Sequence, residues 1–252
     1  TLFGARPNVV YIMCDDMGWA DPGCYGSTQN VTPNIDRLAK EGLRFSSFYA
    51  TQAVCTSSRV ALLTGCYPNR LGLGGTALGP NAKTGLSNDE QTLGTLLRDA
   101  GYRTSVVGKW HLGDAPKFLP SAHGFDDSMI LPYSNDMWPL GYAVGDETRR
   151  KMYPELPRYV NDIPMGIVRD WVSMDKLTSM QGLRAVNFIR ESAGKEKPFF
   201  LYLSHYAVHA PFNSDPRFAP HYKDSGKPEE AQAFATLIEG MDKALGDLLD
   251  HL

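Results

Sequence analysis

Three short apolar runs in this chain end directly in ionisable side chains. Asn8–Met13 (NVVYIM) leads into Cys14-Asp15-Asp16, and Tyr102–Val107 leads into Gly108-Lys109-Trp110-His111. Pro198–Leu203 (PFFLYL) leads into Ser204-His205, with His209 and Pro211 just behind. Runs of this length, rich in β-branched and aromatic residues, read as buried strands. Helical patterns alternate with them. Thr32 and Pro33 mark a helix start that runs to near Gly42, and Ser57–Gly65 reads as a short helix beginning just after Cys55. Glu90–Ala100, closed by Gly101, and Asp175–Glu191 follow, and Pro228–Leu252 is amphipathic. Phe45–Tyr49 reads as a further strand, and Ala115–Gly166 as a long excursion of loops and short elements. The alternation predicts an α/β fold, with a mixed, largely parallel sheet sandwiched by helices. In open sheets of this kind ligands bind beyond the carboxyl ends of the strands. Three ionisable clusters at those ends therefore point to one site.

The composition admits this reading and excludes others. With 42% hydrophobic and 21% charged residues the 252-residue chain can form a core, as one large domain or two small ones. A net charge of −3 leaves no basic footprint for nucleic acid. No apolar run approaches the roughly 20 residues of a membrane span. Thr1 to Asn8 lacks the charged-then-apolar pattern of a signal peptide, which a mature exported chain would have lost. Cys14, Cys24, Cys55 and Cys66 contain no CxxC pair, so no zinc site or disulfide framework follows from spacing, although bridges remain open in an oxidising compartment.

Taken alone, each cluster has an ordinary structural explanation beside the functional one. Adjacent Asp15 and Asp16 suit a hard cation such as Ca²⁺, or a solvated turn or helix cap. Cys55 at a helix start sits where backbone N–H groups favour an anion, with Arg59 one turn on along the same face. It reads equally as a small buried residue in a Ser-capped helix. Lys109 and His111, two apart on an extended segment, face the same way, or form a surface lysine and a packed histidine. One of His205 and His209 can act as a general acid, or both are hydrogen-bonded core histidines.

The segments RPNVVYIMCDDMGWADPGCYG, TPNIDRLAKEG, CTSSRVALLTGCYPNR, GYRTSVVGKWHLGD, HGFDDSMILPYSNDM and HYAVHAPF change that balance. In order and content they resemble the N-terminal part of a type I sulfatase of the arylsulfatase kind, across Arg6 to Phe212. The resemblance implies the alkaline phosphatase-like sulfatase fold and hydrolysis of sulfate esters. It implies that Cys55 is converted by a maturation enzyme to formylglycine. The hydrated aldehyde would offer one hydroxyl to attack sulfur and a second to expel sulfate. Ser57 stands where the family usually has proline. Asp15 and Asp16 match Ca²⁺ ligands shared with position 55, and Arg59 and Lys109 match the cations around nucleophile and sulfate. His111 matches the histidine that hydrogen-bonds the formylglycine, and His209 the one that protonates the leaving oxygen. Ser134 matches a serine that contacts the sulfate together with Lys109 and His209.

One departure stands out. The family's metal site also uses an Asp-Asn pair in a later SDNG-type segment, and no Asp-Asn-Gly occurs here. The expectation is that residues 1–252 form the N-terminal part of a catalytic domain. The remaining strands and a smaller C-terminal domain would belong to the C-terminal remainder of the same protein. On its own the chain would then be poorly stable, weak in metal binding and without useful activity. Two other functions compete: a phosphonate or phosphate ester hydrolase of the same superfamily, and a non-catalytic protein that binds sulfated glycans. For substrate, the resemblance favours sulfated galactose or galactosamine. Tyr133, Trp138, Tyr142 and Tyr153 offer candidate rings for sugar faces, and the expected location is periplasmic or secreted.

Overall fold

The computed structural model describes residues 6–139 and 147–252. Its sheet is assembled around Phe199–Ser204 (β6), in which every residue is buried. A strand covered on both faces has no reason to alternate polar and apolar residues, which is why FFLYL is continuous. Val9–Met13 (β1) and Arg103–Lys109 (β2) flank it, both parallel. Asp127–Leu131 (β3) extends the sheet in parallel beyond β2. Leu156–Val160 (β4) and Ile163–Val168 (β5) complete the order β1-β6-β2-β3-β4-β5 as antiparallel strands.

Successive side chains of β6 point to opposite faces. Phe200 and Tyr202 join a core with Val60, Leu63, Val106, Trp110 and Phe125. Pro33–Glu41 (α1), Cys55–Thr64 (α2) and Leu93–Asp99 (α3) precede β2 in the chain, and α2 and α3 supply this side. Phe199, Leu201 and Leu203 join a second core with Val107, Phe188, Ile189 and Leu248. Those last three come from Leu177–Ser192 (the helix α6) and Glu229–Leu249 (α8). Glu147–Met152 (α4), Trp171–Asp175 (α5) and Ala219–Tyr222 (α7) complete the helices. Among the described residues no helix is long and apolar enough to cross a membrane.

The register explains where the site forms. Met13 and Gly108 both pair with Ser204, so β1, β6 and β2 end side by side. Beyond those ends the chain stays tied: the Asp15 amide donates to the Ala207 carbonyl at 3.0 Å, and the Val208 amide to the Asp15 carbonyl at 2.8 Å.

Some elements differ from expectation. Phe45–Tyr49 is not a strand: among the described residues no strand pairs with it, and Phe45 and Tyr49 are 63% and 82% exposed. The helix expected from Glu90 starts at Leu93, because the Thr92 hydroxyl accepts the Thr95 amide at 3.0 Å and caps it there. The helix expected over Asp175–Glu191 is interrupted at Lys176, where α5 ends and α6 begins. Within Ala115–Gly166 lie β3 and β4, and β5 begins there and runs on to Val168. The turn joining β4 to β5 uses Asn161 and Asp162, both left-handed at φ 49° and 64°, a hairpin signal carried by those two residue types. All four cysteines are free thiols.

Gly108 is the tightest point between β2 and β6. Its φ is +114°, and a Cβ there would lie 1.9 Å from the Ser204 carbonyl oxygen. Gly108→Ala is expected to cost at least about 2 kcal/mol in urea unfolding, from strain and overpacking together. An unchanged midpoint would contradict the packing described.

Candidate active site

Asp15 leaves the end of β1 and is almost wholly buried. Its carboxylate accepts from Lys109 Nζ at 2.5 Å and lies 3.1 Å from Arg59 Nη2, both partners themselves buried. Burial alone would raise its pKa, but the two cations outweigh that and pull it down to about 2. Lys109 Nζ also donates to Ser134 Oγ at 3.0 Å. Arg59 Nη1 donates to the Lys109 carbonyl at 3.0 Å and to Ser204 Oγ. The strand ends, the first turns of α2 and the Ser134 loop are thus joined by charge-assisted hydrogen bonds.

Cys55 is the first residue of α2. The hydroxyls next to it anchor that helix start: Thr56 Oγ1 donates to the His111 carbonyl at 2.8 Å and accepts from the Leu78 amide at 3.1 Å. Ser57 Oγ donates to the Leu73 carbonyl at 2.5 Å, a bond that proline at this position would lack. Burial would raise the Cys55 thiol, but its hydrogen bond with His209 and the charge of Lys109 hold it below the ordinary thiol range. His209 shifts the opposite way: burial lowers it, and the bond to Cys55 outweighs burial and raises it. His209 Nδ1 donates to the Ala210 carbonyl at 2.5 Å, which leaves Nε2 facing the site, 3.6 Å from Asp16 Oδ2. Asp16 is left-handed at φ 61° and largely exposed.

His111 is buried, and its backbone turns left-handed at φ 58°, so the segment after Lys109 does not remain a simple strand. Trp110 points into the core, with Nε1 donating to the Phe118 carbonyl at 2.8 Å. His111 Nε2 meets the Leu78 carbonyl at 2.8 Å, while its Nδ1 is buried without a partner. Burial, with Lys109 and Arg59 adding to it, holds this ring neutral far below the usual histidine range.

His205 is not part of the site. It is buried beside Gln181 of α6, 3.2 Å from its Oε1, and burial pushes it to about 4. Tyr133 and Trp138, candidates for sugar contact, are 3% and 1% exposed. Tyr133 donates to the Glu155 carbonyl, and Trp138 packs edge-on against Trp171. Tyr153 is half-buried, and Tyr142 lies outside the described residues. Two contributors escaped the sequence reading. Ser204 binds Arg59, and buried Asn135 donates from Nδ2 to the His209 and Ala210 carbonyls at 3.4 Å each. Ser204 was signalled by its place at a strand end, and Asn135 only by adjoining Ser134.

For a hard dication the donor set fits in kind. Asp15 and Asp16 offer carboxylate oxygens on one side, a part of the roughly six to eight that Ca²⁺ takes. The site as a whole is a preorganised cradle for a compact anion, with buried cations, a helix start and two histidines of opposite proton affinity.

That class of site, on a sheet of this order, has known relatives. The Sulfatase family model matches residues 7–252, and the chain belongs to that family. It is 38% identical over 225 residues to rat (Rattus norvegicus) N-acetylgalactosamine-6-sulfatase, covering 84% of this chain and 41% of that protein. It is 35% identical over 267 residues to rat arylsulfatase G, covering 98% and 48%. The crystal structure of Ps i-CgsB in complex with k-i-k-neocarrahexaose superposes with a TM-score of 0.82 at 30% identity, over 98% of this chain and 55% of that one. A further structure, solved with its substrate D-glucosamine-2-N,6-O-disulfate, gives a TM-score of 0.64 at 29% identity, over 89% and 39%. The chain spans about half the length of the curated relatives it matches.

The opposed shifts of Cys55 and His209 make a prediction for the unmodified thiol. Cys55 is depressed, so its thiolate persists to lower pH than that of an ordinary cysteine, whereas burial pushes Cys14 up to about 12. Iodoacetamide at pH 7 should alkylate Cys55 well ahead of Cys14. His209→Gln should slow the reaction several-fold, because the thiol loses the partner that most favours its thiolate. Equal rates with and without His209 would contradict the pairing.

Proposed function

We propose that this chain carries most of the active site of an enzyme that hydrolyses sulfate esters on sulfated glycans. The observation that supports it best is the convergence of Lys109, Arg59 and His209 on the first residue of α2, in a member of the Sulfatase family. The glycan reading draws on relatives solved with k-i-k-neocarrahexaose and with D-glucosamine-2-N,6-O-disulfate. We further propose that position 55 works as formylglycine and that Ca²⁺ is held by Asp15, Asp16 and position 55. Chain beyond residues 1–252 would add the remaining oxygen ligands, strands and a smaller domain. Export to the periplasm or the cell exterior belongs to the same reading.

When present, the hydrated aldehyde supplies a nucleophilic hydroxyl pair and Ca²⁺ supplies hard positive charge beside it. The protein's own groups do the rest. Lys109 and Arg59 face the sulfate with their charge already desolvated and oriented, so no reorganisation is needed as charge shifts in the transition state. Ser134 Oγ accepts from the Lys109 ammonium and fixes its direction. His209 keeps its Nδ1 proton on the Ala210 carbonyl and presents Nε2. Nε2 so presented can carry a proton and deliver it to the departing alcohol oxygen. His111, held neutral, keeps an unpartnered Nδ1 near the charges of Lys109 and Arg59, and a neutral imidazole can accept a proton there. His209, open to the site at Nε2, takes the acid role, and His111, held neutral mainly by burial, takes the base role.

The whole protein, co-expressed with a formylglycine-generating enzyme, should show conversion at position 55 in a peptide mass spectrum and turn over 4-nitrophenyl sulfate in preference to 4-nitrophenyl phosphate. Lys109→Ala should lower kcat by about 10²- to 10³-fold. A preference for the phosphate ester would move the assignment to a phosphate or phosphonate hydrolase. Conversion without turnover of either ester, with binding of sulfated glycan retained, would favour a binding protein.

A further inference from the structure

Cys55, His209 and Asp15 come from three separate stretches of the chain, yet one donor atom from each lies within 4.8 Å of the other two. No other trio of cysteine, histidine and carboxylate side chains among the described residues is so placed. A sulfur, an imidazole nitrogen and a single carboxylate oxygen are not what a hard cation selects. They are the donors of a borderline-soft ion, which takes thiolate and imidazole readily and keeps a fourth position for water when the protein supplies three. We propose that the chain with an unmodified Cys55 binds Zn²⁺ through Cys55 Sγ, His209 Nε2 and a carboxylate oxygen of Asp15.

The surroundings of each donor favour this. The Nδ1–H of His209 is taken by the Ala210 carbonyl, which sets the tautomer with its lone pair on Nε2 and holds the ring. A backbone carbonyl behind the ring is the usual outer partner of a metal-bound histidine. Lys109 and Arg59 each occupy one direction on an Asp15 oxygen, and each oxygen keeps a second lone pair. Asp16 Oδ2, 3.6 Å from His209 Nε2 and open to solvent, can approach as a fourth ligand or hold the fourth-position water. Zinc-bound donors lie about 3.5 Å apart, so the trio closes by little more than ~1 Å. With Cys55 as thiolate, Cys55 and Asp15 lie beside Lys109 and Arg59, and the exposed Asp16 adds a third negative charge beside His209, so the site is net negative before a dication enters.

Conversion of Cys55 removes the only sulfur. The same place then offers oxygen where it offered thiolate, and its preference passes from Zn²⁺ to hard ions. Until then a bound Zn²⁺ covers the thiol. The proposal is independent of the ester-hydrolase reading, because it is read from metal and thiol rather than from turnover.

The test uses the tag-free full chain, with Cys55 verified as thiol by mass and metal removed by chelation. Zn²⁺ titrated by calorimetry should bind one per chain, and should slow alkylation of Cys55 at least tenfold while leaving Cys66 unchanged. Co²⁺ in its place should give a thiolate-to-cobalt charge-transfer absorption. Cys55→Ser and His209→Gln should each abolish that absorption and weaken Zn²⁺ binding at least tenfold, and Cys66→Ser should do neither. Circular dichroism confirms that the variants fold; should Cys55→Ser fail to fold, protection confined to Cys55 in the unaltered chain decides the matter. The proposal is overturned if Zn²⁺ does not bind, if it protects Cys66 as well as Cys55, or if Cys55→Ser binds as the parent does.

Discussion

The Asp15 carboxylate lies between the Lys109 ammonium and the Arg59 guanidinium with almost no exposure to water. Removing three charges from solvent is costly, and their mutual attraction offsets that cost only when geometry and further hydrogen bonds are good. Here they are: Arg59 also reaches the Lys109 carbonyl and Ser204, and Lys109 also reaches Ser134. The cluster ties β1, β2, β6 and α2 at a single point, so the sheet cannot shift by one residue without stranding a buried charge. The parallel register that aligns Met13, Ser204 and Gly108 makes the cluster possible, and Gly108 lets the two backbones approach closely enough.

From this anchor the rest of the site acquires its electrostatics. The cations that neutralise Asp15 also depress Cys55 and help hold His111 neutral. His209, turned toward the same space by the Ala210 carbonyl, moves the other way. A single arrangement of charge thereby yields a thiol held low at the start of α2, two buried cations beside it and a histidine pair with separated proton affinities. Thr56 and Ser57 matter as clamps: their hydroxyls join the start of α2 to the loop that also accepts His111. Relatives of about twice this chain's length share the fold, and the Sulfatase family model spans nearly the whole of it.

Much of this was readable in the sequence because strand ends and helix starts carry strong local signals. NVVYIM, PFFLYL and the stretch before GKWHLG declare themselves by continuous apolar character, and parallel strands place their following residues at one end. Cys55, Arg59, Lys109, Ser134 and His209 were found that way or through resemblance, and the structure brings them together. What could not be read was direction. Nothing in the spacing of His205 and His209 says that one turns back to Gln181 while the other enters the site. Nor does aromatic character reveal that Tyr133 and Trp138 are consumed by packing. Phe45–Tyr49 has strand-like composition, but no strand among the described residues pairs with it, and pairing is a property of the fold rather than of the segment. The β4–β5 hairpin was missed because its turn is Asn-Asp rather than the stronger Asn-Gly.

The dependence of the site on Asp15 is tested most directly by acid unfolding of the parent chain and Asp15→Asn. Asp15 is depressed from 3.8 to about 2, so its contribution is complete above the unfolded value and is lost as pH falls through the folded one. At pH 7 the substitution should cost on the order of 3–5 kcal/mol, because it leaves two buried cations unpaired. Between pH 4 and pH 2 the difference between the two chains should shrink, as the parent's own carboxylate takes up its proton. Equal stability at pH 7, or a difference that does not change on acidification, would contradict the account.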